Sequence, residues 1–222
     1  MLFDFIIVHE SGHEWFANNI TNKDVADMWI HESFTNYSES LYLEYHFGKE
    51  QAFEYIRGQR QNIQNQSPII GEYNANRGGS GDMYDKGGNM LHTIRQIIND
   101  DKKWREILRG LGKTFYHQTV ETADIENYIS KQSGINFSKV FDQYLRDIRV
   151  PTLEYFVKDE KIKIRWSNVH PEFTMPIRVF INKQEQWLTP STKWTNVQNK
   201  QKYTTFEVDK NFYINTMNVL GN

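Results

Sequence analysis

The chain contains no cysteine, which excludes disulfides and thiolate catalysis but does not separate cytoplasm from an exported compartment. A long run of one charge sign is missing as well. The net charge is −2, and without a basic stretch nucleic-acid binding has no electrostatic footprint. Long apolar runs are also absent: Leu2 to Val8 is far shorter than the roughly 20 residues that span a bilayer. That stretch has no basic region before it and no small-residue cleavage site after it, so it does not read as a signal peptide. No repeat or low-complexity segment stands out. The expectation is a soluble protein with neither nucleic acid nor membrane as partner, its compartment (cytoplasmic, periplasmic or secreted) left open. What is present suffices for folded cores: 222 residues, 38% apolar and 14% aromatic, allow one domain and a small second one.

The pentapeptide His9-Glu10-Ser11-Gly12-His13 has the form H-E-x-x-H. If Phe5 to Asn18 is helical, His9 and His13 stand one turn apart on one face, and both imidazoles reach a single Zn²⁺ at about 2.0–2.1 Å. Glu10 is not placed to be a third ligand. It can take a proton from a metal-bound water and return it to a leaving amine. Three fixed positions recur by chance, so the pattern needs a companion. The segment Trp29 to Tyr37 supplies one in Glu32, with eighteen residues between it and His13. A catalytic zinc takes three protein ligands and keeps one position open, and two His plus one Glu is a known set.

These residues resemble the aminopeptidase N family of gluzincin zinc metallopeptidases, which also contains leukotriene hydrolase. HESGHEWFANNIT and DMWIHESFTNYSE are similar to that family's zinc helix and third-ligand helix in spacing and flanking aromatics. Tyr84-Asp85-Lys86-Gly87 resembles its Y-x-K-G tyrosine motif, and Thr122 to Leu145 is similar, less specifically, to a later helical segment. The resemblance covers about residues 5 to 150. It implies that His9, His13 and Glu32 bind zinc, that Glu10 is the general base and that Tyr84 hydrogen-bonds the oxyanion. The chemistry agrees, because a phenol stabilises developing negative charge without adding a net charge. The Gly-rich approach Arg77 to Asp82 is a usual setting for a catalytic side chain.

Asn36 and Glu39 lie four and seven residues past Glu32 on its face. Either can hydrogen-bond a ligating imidazole and fix its tautomer, with Glu39 the stronger acceptor. His31, next to Glu32, points about 100° away from it. His46, His92, His117 and His170 lack ligand spacing and read as surface or structural residues, while Glu14 and Trp15 are expected to pack against or cap the zinc helix.

One feature of the family has no counterpart here. Its G-A-M-E-N strand, which holds the substrate's free amino group, lies some twenty or more residues before the zinc helix, and only eight residues precede His9. The expectation is that this is the carboxy-terminal part of a larger peptidase. The full-length parent would hydrolyse peptides at the amino terminus through a zinc-bound water, and the isolated chain would be weakly active or inactive. Self-association through the surface left by the missing part is expected. The alternatives are a non-catalytic zinc-binding remnant or interaction module, or a relative of the leukotriene-type epoxide hydrolase.

The pattern along the chain changes near Pro151. Before it, apolar residues recur at helical spacing, as at Phe53 and Ile56, Met90 to Ile98, and Trp104 to Leu111. After it, Leu153 to Val157, Lys161 to Trp166, Ile177 to Ile181, Gln186 to Leu188 and Thr204 to Val208 read as strands, with turns at Asn182-Lys183 and Asp209-Lys210. The fold expected is a mainly α helical bundle of a gluzincin catalytic domain over residues 1–150, followed by a small antiparallel β-sandwich over residues 151–222.

Overall fold

Gly48 sets the arrangement of the helical part. Its φ of 96° lies in the left-handed region that glycine tolerates, and it ends one helix and begins the next. The chain therefore doubles back, and helix α3 (Lys49–Gly58) packs along helix α2 (Trp29–Phe47). The structure is a computed structural model that describes residues 3–158, 161–198 and 205–220. It divides into two units, Met1–Ile148 and Arg149–Asn222.

In the first unit α2 is the central element. Trp29, Ile30, His31, Ser33 to Tyr37, Glu39, Ser40 and Leu43 are all buried, so its faces are covered nearly all round. Helices α1 (Phe5–Gly12) and α4 (Asp85–Ile98) pack on it together with α3. Helices α5 (Asp101–Thr114), α6 (Thr122–Ser133) and α7 (Ser138–Leu145) complete the unit. In α5 the buried residues Trp104, Ile107 and Leu111 recur at helical spacing, so one stripe is covered and the rest is wet. A short parallel pair, β1 (Ile20–Asn22) and β2 (Gln118–Val120), joins distant parts of the chain.

Two buried polar knots hold these elements in register. Asp27, fully buried, accepts hydrogen bonds from the Thr122 hydroxyl at 2.5 Å, the Thr122 N–H at 3.2 Å and the Tyr73 hydroxyl at 2.7 Å. Trp29 donates to the same Thr122 oxygen at 2.7 Å, which ties the start of α2 to the start of α6. Arg95 of α4 donates to Glu44 through both terminal nitrogens, at 2.6 and 2.8 Å, and to Asp101 at 2.8 Å. Such two-pronged, partly desolvated pairs are the ones that fix geometry.

The helix expected over Phe5 to Asn18 is shorter. It ends at Gly12, with His13 still αR as its cap, and the chain turns through Ala17 so that Phe16 bridges to Ile20. The Asn18 N–H then bonds to the His13 carbonyl at 2.9 Å instead of continuing the helix. Met1 and Leu2 lie outside the described residues, and among the described residues no helix is long and apolar enough to cross a membrane.

The second unit has two sheets. One is ordered β7 (Thr195–Val197), β4 (Lys161–Ser167), β3 (Thr152–Lys158), β9 (Asn215–Asn218), and the other β6 (Gln184–Leu188), β5 (Ile177–Ile181), β8 (Phe206–Val208). Alternation is clean where one face is covered: Ile162, Ile164 and Trp166 of β4 are buried between partly exposed neighbours. The expectation of purely antiparallel pairing needs one correction, since β3 and β9 run parallel from Thr152 opposite Asn215 to Tyr155 opposite Asn218. A return strand placed beside β3 after β8 arrives in that direction. Thr204, expected to open a strand, lies outside the described residues.

Candidate active site

α1 and α2 meet with His9 facing Glu32 and Glu39, because His9 projects from the buried side of α1 while Phe5, Ile6 and Ile7 face outward. His9 Nε2 lies 3.2 Å and His13 Nε2 3.6 Å from the same oxygen, Glu32 Oε2. One ligand atom from each of His9, His13 and Glu32 falls within 4.8 Å of the others. The turn after Gly12 also serves the second imidazole. His13 Nδ1–H donates to the Phe16 carbonyl at 3.1 Å, which leaves the Nε2 lone pair facing the cluster. Phe16 is itself held by stacking on Phe34 at 4.4 Å.

The other imidazole is oriented from behind. His9 Nδ1–H donates to Glu39 Oε1 at 2.9 Å, and the second Glu39 oxygen accepts from Tyr55 Oη and, at 3.2 Å, from Gln59 Nε2. Thr35 Oγ1 sits 3.1 Å from His9 Nε2. Burial works against the His9 cation, and the Glu32 and Glu39 carboxylates outweigh it and lift the group to about 9. Two carboxylates facing two imidazoles make a pocket that favours positive charge. Burial first, and then the Glu39 carboxylate, push the Tyr55 phenol well above its usual range.

Tyr84 enters from the other wall. Its ring centroid lies 5.7 Å from that of His9. Burial, with the Glu32 and Glu10 carboxylates adding to it, raises the phenol, so it stays a donor. The backbone before it is latched to α2: Ser33 Oγ donates to the Met83 carbonyl at 2.6 Å. That approach requires Gly87, where a Cβ would fall 1.9 Å from Ser33 Oγ. Asp82, buried, accepts the Gln64 and Asn65 N–H groups at 2.8 and 2.7 Å and so pins the loop that follows α3. Lys86 is fully buried and donates to the Asp147 carbonyl at 2.9 Å. Burial pushes its amine down to about 8, with the Asp82 and Asp147 carboxylates opposing.

The two imidazoles, Glu32, Glu39, Tyr55, Gln59 and Tyr84 border one cleft of about 860 Å³, which Phe5, Ile6, Gln61 and Asn62 also line. Glu10 is exposed on its rim. Of the residues singled out in the sequence, His9, His13, Glu32, Glu10, Tyr84 and Glu39 converge here. Asn36 lines the cleft too but does not reach an imidazole: its Nδ2 donates to Asp85 Oδ1 at 3.3 Å, where α4 passes close at Gly88. His31 turns away and accepts the Asn22 N–H at 3.0 Å, and Trp15, expected to pack on the zinc helix, is 60% exposed. Sequence reasoning missed Thr35, Tyr55 and Gln59. Thr35 is one turn beyond His31 and open to helical reading, whereas Tyr55 and Gln59 arrive only through the turn at Gly48.

Residues 3–144 match the model of the peptidase family M1 domain. Aminopeptidase N of Lactococcus lactis is 26% identical over 174 residues, which is 71% of this chain and 20% of that relative. Leucyl aminopeptidase of Saccharolobus solfataricus is 21% identical over 170 residues, covering 72% of this chain and 22% of the relative. The chain thus spans about a fifth of the length of these curated relatives. The fold of Legionella pneumophila aminopeptidase A, solved in complex with aspartic acid, superposes with a TM-score of 0.74 at 14% identity, over 96% of this chain and 26% of that one. A zinc metallopeptidase of family M1 from Deinococcus radiodurans, bound to a Tyr-Ser-Ala substrate, gives 0.59 at 21% identity, over 68% of this chain and 34% of that one. The convergent cluster and a family match over most of the chain lead to one conclusion: this chain belongs to peptidase family M1.

Proposed function

We propose that this chain carries the metal ligands, the general base and the oxyanion donor of a zinc aminopeptidase, one that hydrolyses the first peptide bond of peptide substrates. The observation that carries this reading is the convergence of His9, His13 and Glu32 within 4.8 Å on a cleft that Glu10 and Tyr84 also border. Zn²⁺ fits these residues, because two imidazole nitrogens and one carboxylate are a usual catalytic donor set. When bound, zinc supplies Lewis acidity toward a carbonyl and toward water.

The chain's own residues do the rest. Glu10 takes the proton from the attacking water and delivers it to the leaving amine, a role that its exposed place on the rim allows. Tyr84, kept protonated, donates to the developing oxyanion. Glu39 and the Phe16 carbonyl hold the two imidazoles with their Nε2 atoms turned to the cluster. Residues 1–150 are then the helical part of the catalytic domain. Residues 151–222 are a small sandwich, a reading supported by the Tyr155 ring of β3 lying 4.7 Å from the Phe206 ring of β8.

The test compares zinc content with hydrolysis of leucine or alanine anilide in the full chain and in Glu10→Gln. Zinc should remain stoichiometric in the variant while whatever hydrolysis the chain supports falls by about 10²–10⁴-fold. Parallel loss of metal and activity would make Glu10 structural, and a folded chain that takes up no zinc would overturn the proposal.

A further inference from the structure

Glu39 is 2% exposed, and three donors share its two oxygens. On Oε1 stands the His9 Nδ1–H at 2.9 Å; on Oε2 stand the Tyr55 hydroxyl and the Gln59 amide, the latter at 3.2 Å. Three of the roughly four lone-pair directions of its two oxygens are taken by donors, so Glu39 acts as acceptor toward all three partners. An isolated anion at that depth would be costly, and charge-assisted hydrogen bonds are what offset the cost. His9 supplies one of them. The other two come from the end of α3 and the turn after it, two elements that contribute none of the three clustered ligands.

We propose that Tyr55 and Gln59 are positioning residues for the metal centre, acting through Glu39 to hold the His9 ring with Nδ1–H on Glu39 and Nε2 turned to Glu32 and His13, the orientation in which Nε2 can bind a metal. This rests on the zinc reading above. The path is short and continuous: Tyr55 and Gln59 to Glu39, Glu39 to His9 Nδ1, and His9 Nε2 to the cluster 3.2 Å from Glu32. Sequence explains how it forms. Tyr55 and Gln59 are four residues apart and so share one side of the α3 end, and the turn at Gly48 lays that side against Glu39 of α2. Tyr55 is braced edge-on by Phe3 at 5.5 Å, so its ring does not swing freely. Both residues also line the cleft. The wall that a substrate would touch is therefore the wall that orients a metal ligand.

The experiment uses the full chain, Tyr55→Phe, Gln59→Leu, their double variant, Glu39→Gln and the triple combination. Zinc affinity is read by competition with a chromogenic chelator, the Co²⁺-loaded visible spectrum reports ligand geometry, and circular dichroism reports helicity. Glu39→Gln should weaken zinc about 10–100-fold, the usual loss for a partner of a ligating histidine. Each single change at the α3 end should weaken it about 2–10-fold and shift the cobalt spectrum, with the double variant approaching Glu39→Gln. The triple variant should be no worse than Glu39→Gln alone, because all three act on one contact. Tyr55→Phe keeps the ring on Phe3, so its loss of affinity at unchanged helicity cannot be misfolding. Wild-type affinity and spectrum in the folded double variant, with Glu39→Gln impaired, would overturn the inference while leaving the zinc reading intact, as would losses that simply add in the triple variant. A folded wild-type chain that binds no zinc would instead sink the zinc reading and this inference with it.

Discussion

Replacing Gly87 by alanine tests the packing that brings Tyr84 to the cluster of His9, His13 and Glu32. The added Cβ would sit 1.9 Å from Ser33 Oγ and 2.7 Å from Ser33 Cβ. Rotating the serine relieves the first contact but not the second, so either α4 backs away from α2 by about 1 Å or the Ser33 side chain gives up the Met83 carbonyl. Overpacking of this kind costs about 1–3 kcal/mol. Orphaning a buried carbonyl costs about 1–3 kcal/mol more. Alanine's advantage over glycine inside a helix returns up to about 1 kcal/mol. The net expectation is a loss of about 2–4 kcal/mol, which in a chain of this size lowers the melting temperature by roughly 5–12 °C. The assay is urea and thermal unfolding followed by the helical signal. Ser33→Gly serves as the relieving partner, since it removes both offending atoms. It costs about 1–2 kcal/mol alone, from helix propensity and the lost hydrogen bond. Combined with Gly87→Ala, it should cost about 1–2 kcal/mol less than the sum of the singles. Gly87→Ala within about 0.5 kcal/mol of wild type, or strict additivity in the double variant, would refute the close-packing account.

His13→Ala removes one of the three proposed ligands and should abolish stoichiometric zinc while the helical signal persists, measured by metal analysis after dialysis. Lys86 has a pH signature: its folded value is pushed down from 10.5 to about 8, so between those values the unfolded chain binds more protons and this group's contribution to stability rises with pH. Across that window it amounts to about 3 kcal/mol at most, so the stability difference between wild type and Lys86→Met should move toward wild type by about 1–3 kcal/mol from neutral pH to about 10. A flat difference in urea unfolding would count against a buried, proton-binding amine. Finally, Ile7 and Trp15 line a shallow groove and are 64% and 60% exposed. The full chain should self-associate at micromolar concentration and revert toward monomer in Ile7→Glu with Trp15→Lys, as read by sedimentation; an unaltered monomer in both would remove that expectation.

How far the sequence could be read depended on whether the controlling interaction was local. His9, His13 and Glu32 were legible because ligand chemistry imposes a spacing, and helical geometry converts spacing into a shared face. Glu39 followed from Glu32 by two turns of the same helix. Asn36 lies on that face too, yet the close approach of α4 at Gly88 gave it Asp85 as a nearer partner. Tyr55 and Gln59 could not be found, because their partner is 16 and 20 residues away across a hairpin that only Gly48 hints at. Strands β3 to β5 announced themselves by alternating Ile, Val and Trp. Asn215–Asn218 carries one apolar residue, Met217, which is 52% exposed, so β9 is a strand through backbone pairing with β3 alone.

The burial of α2 nearly all round explains why the proposed zinc ligand, the group that orients His9 and the proposed oxyanion donor stand together. Within eight residues Glu32 faces both imidazoles, Ser33 latches the backbone before Tyr84, Thr35 touches His9, Asn36 holds Asp85 and Glu39 orients His9. Successive residues turn by about 100°, so these contacts point to different neighbours and require α1, α3 and α4 to crowd the same two turns. A surface helix with one apolar stripe offers a single face and could not serve all of them. The consequence is mechanical coupling. A shift of α2 that loosened the Ser33 latch would also carry Glu32 and Glu39, so damage to the tyrosine side of the cleft should reach the metal side through packing, without a change in any ligand.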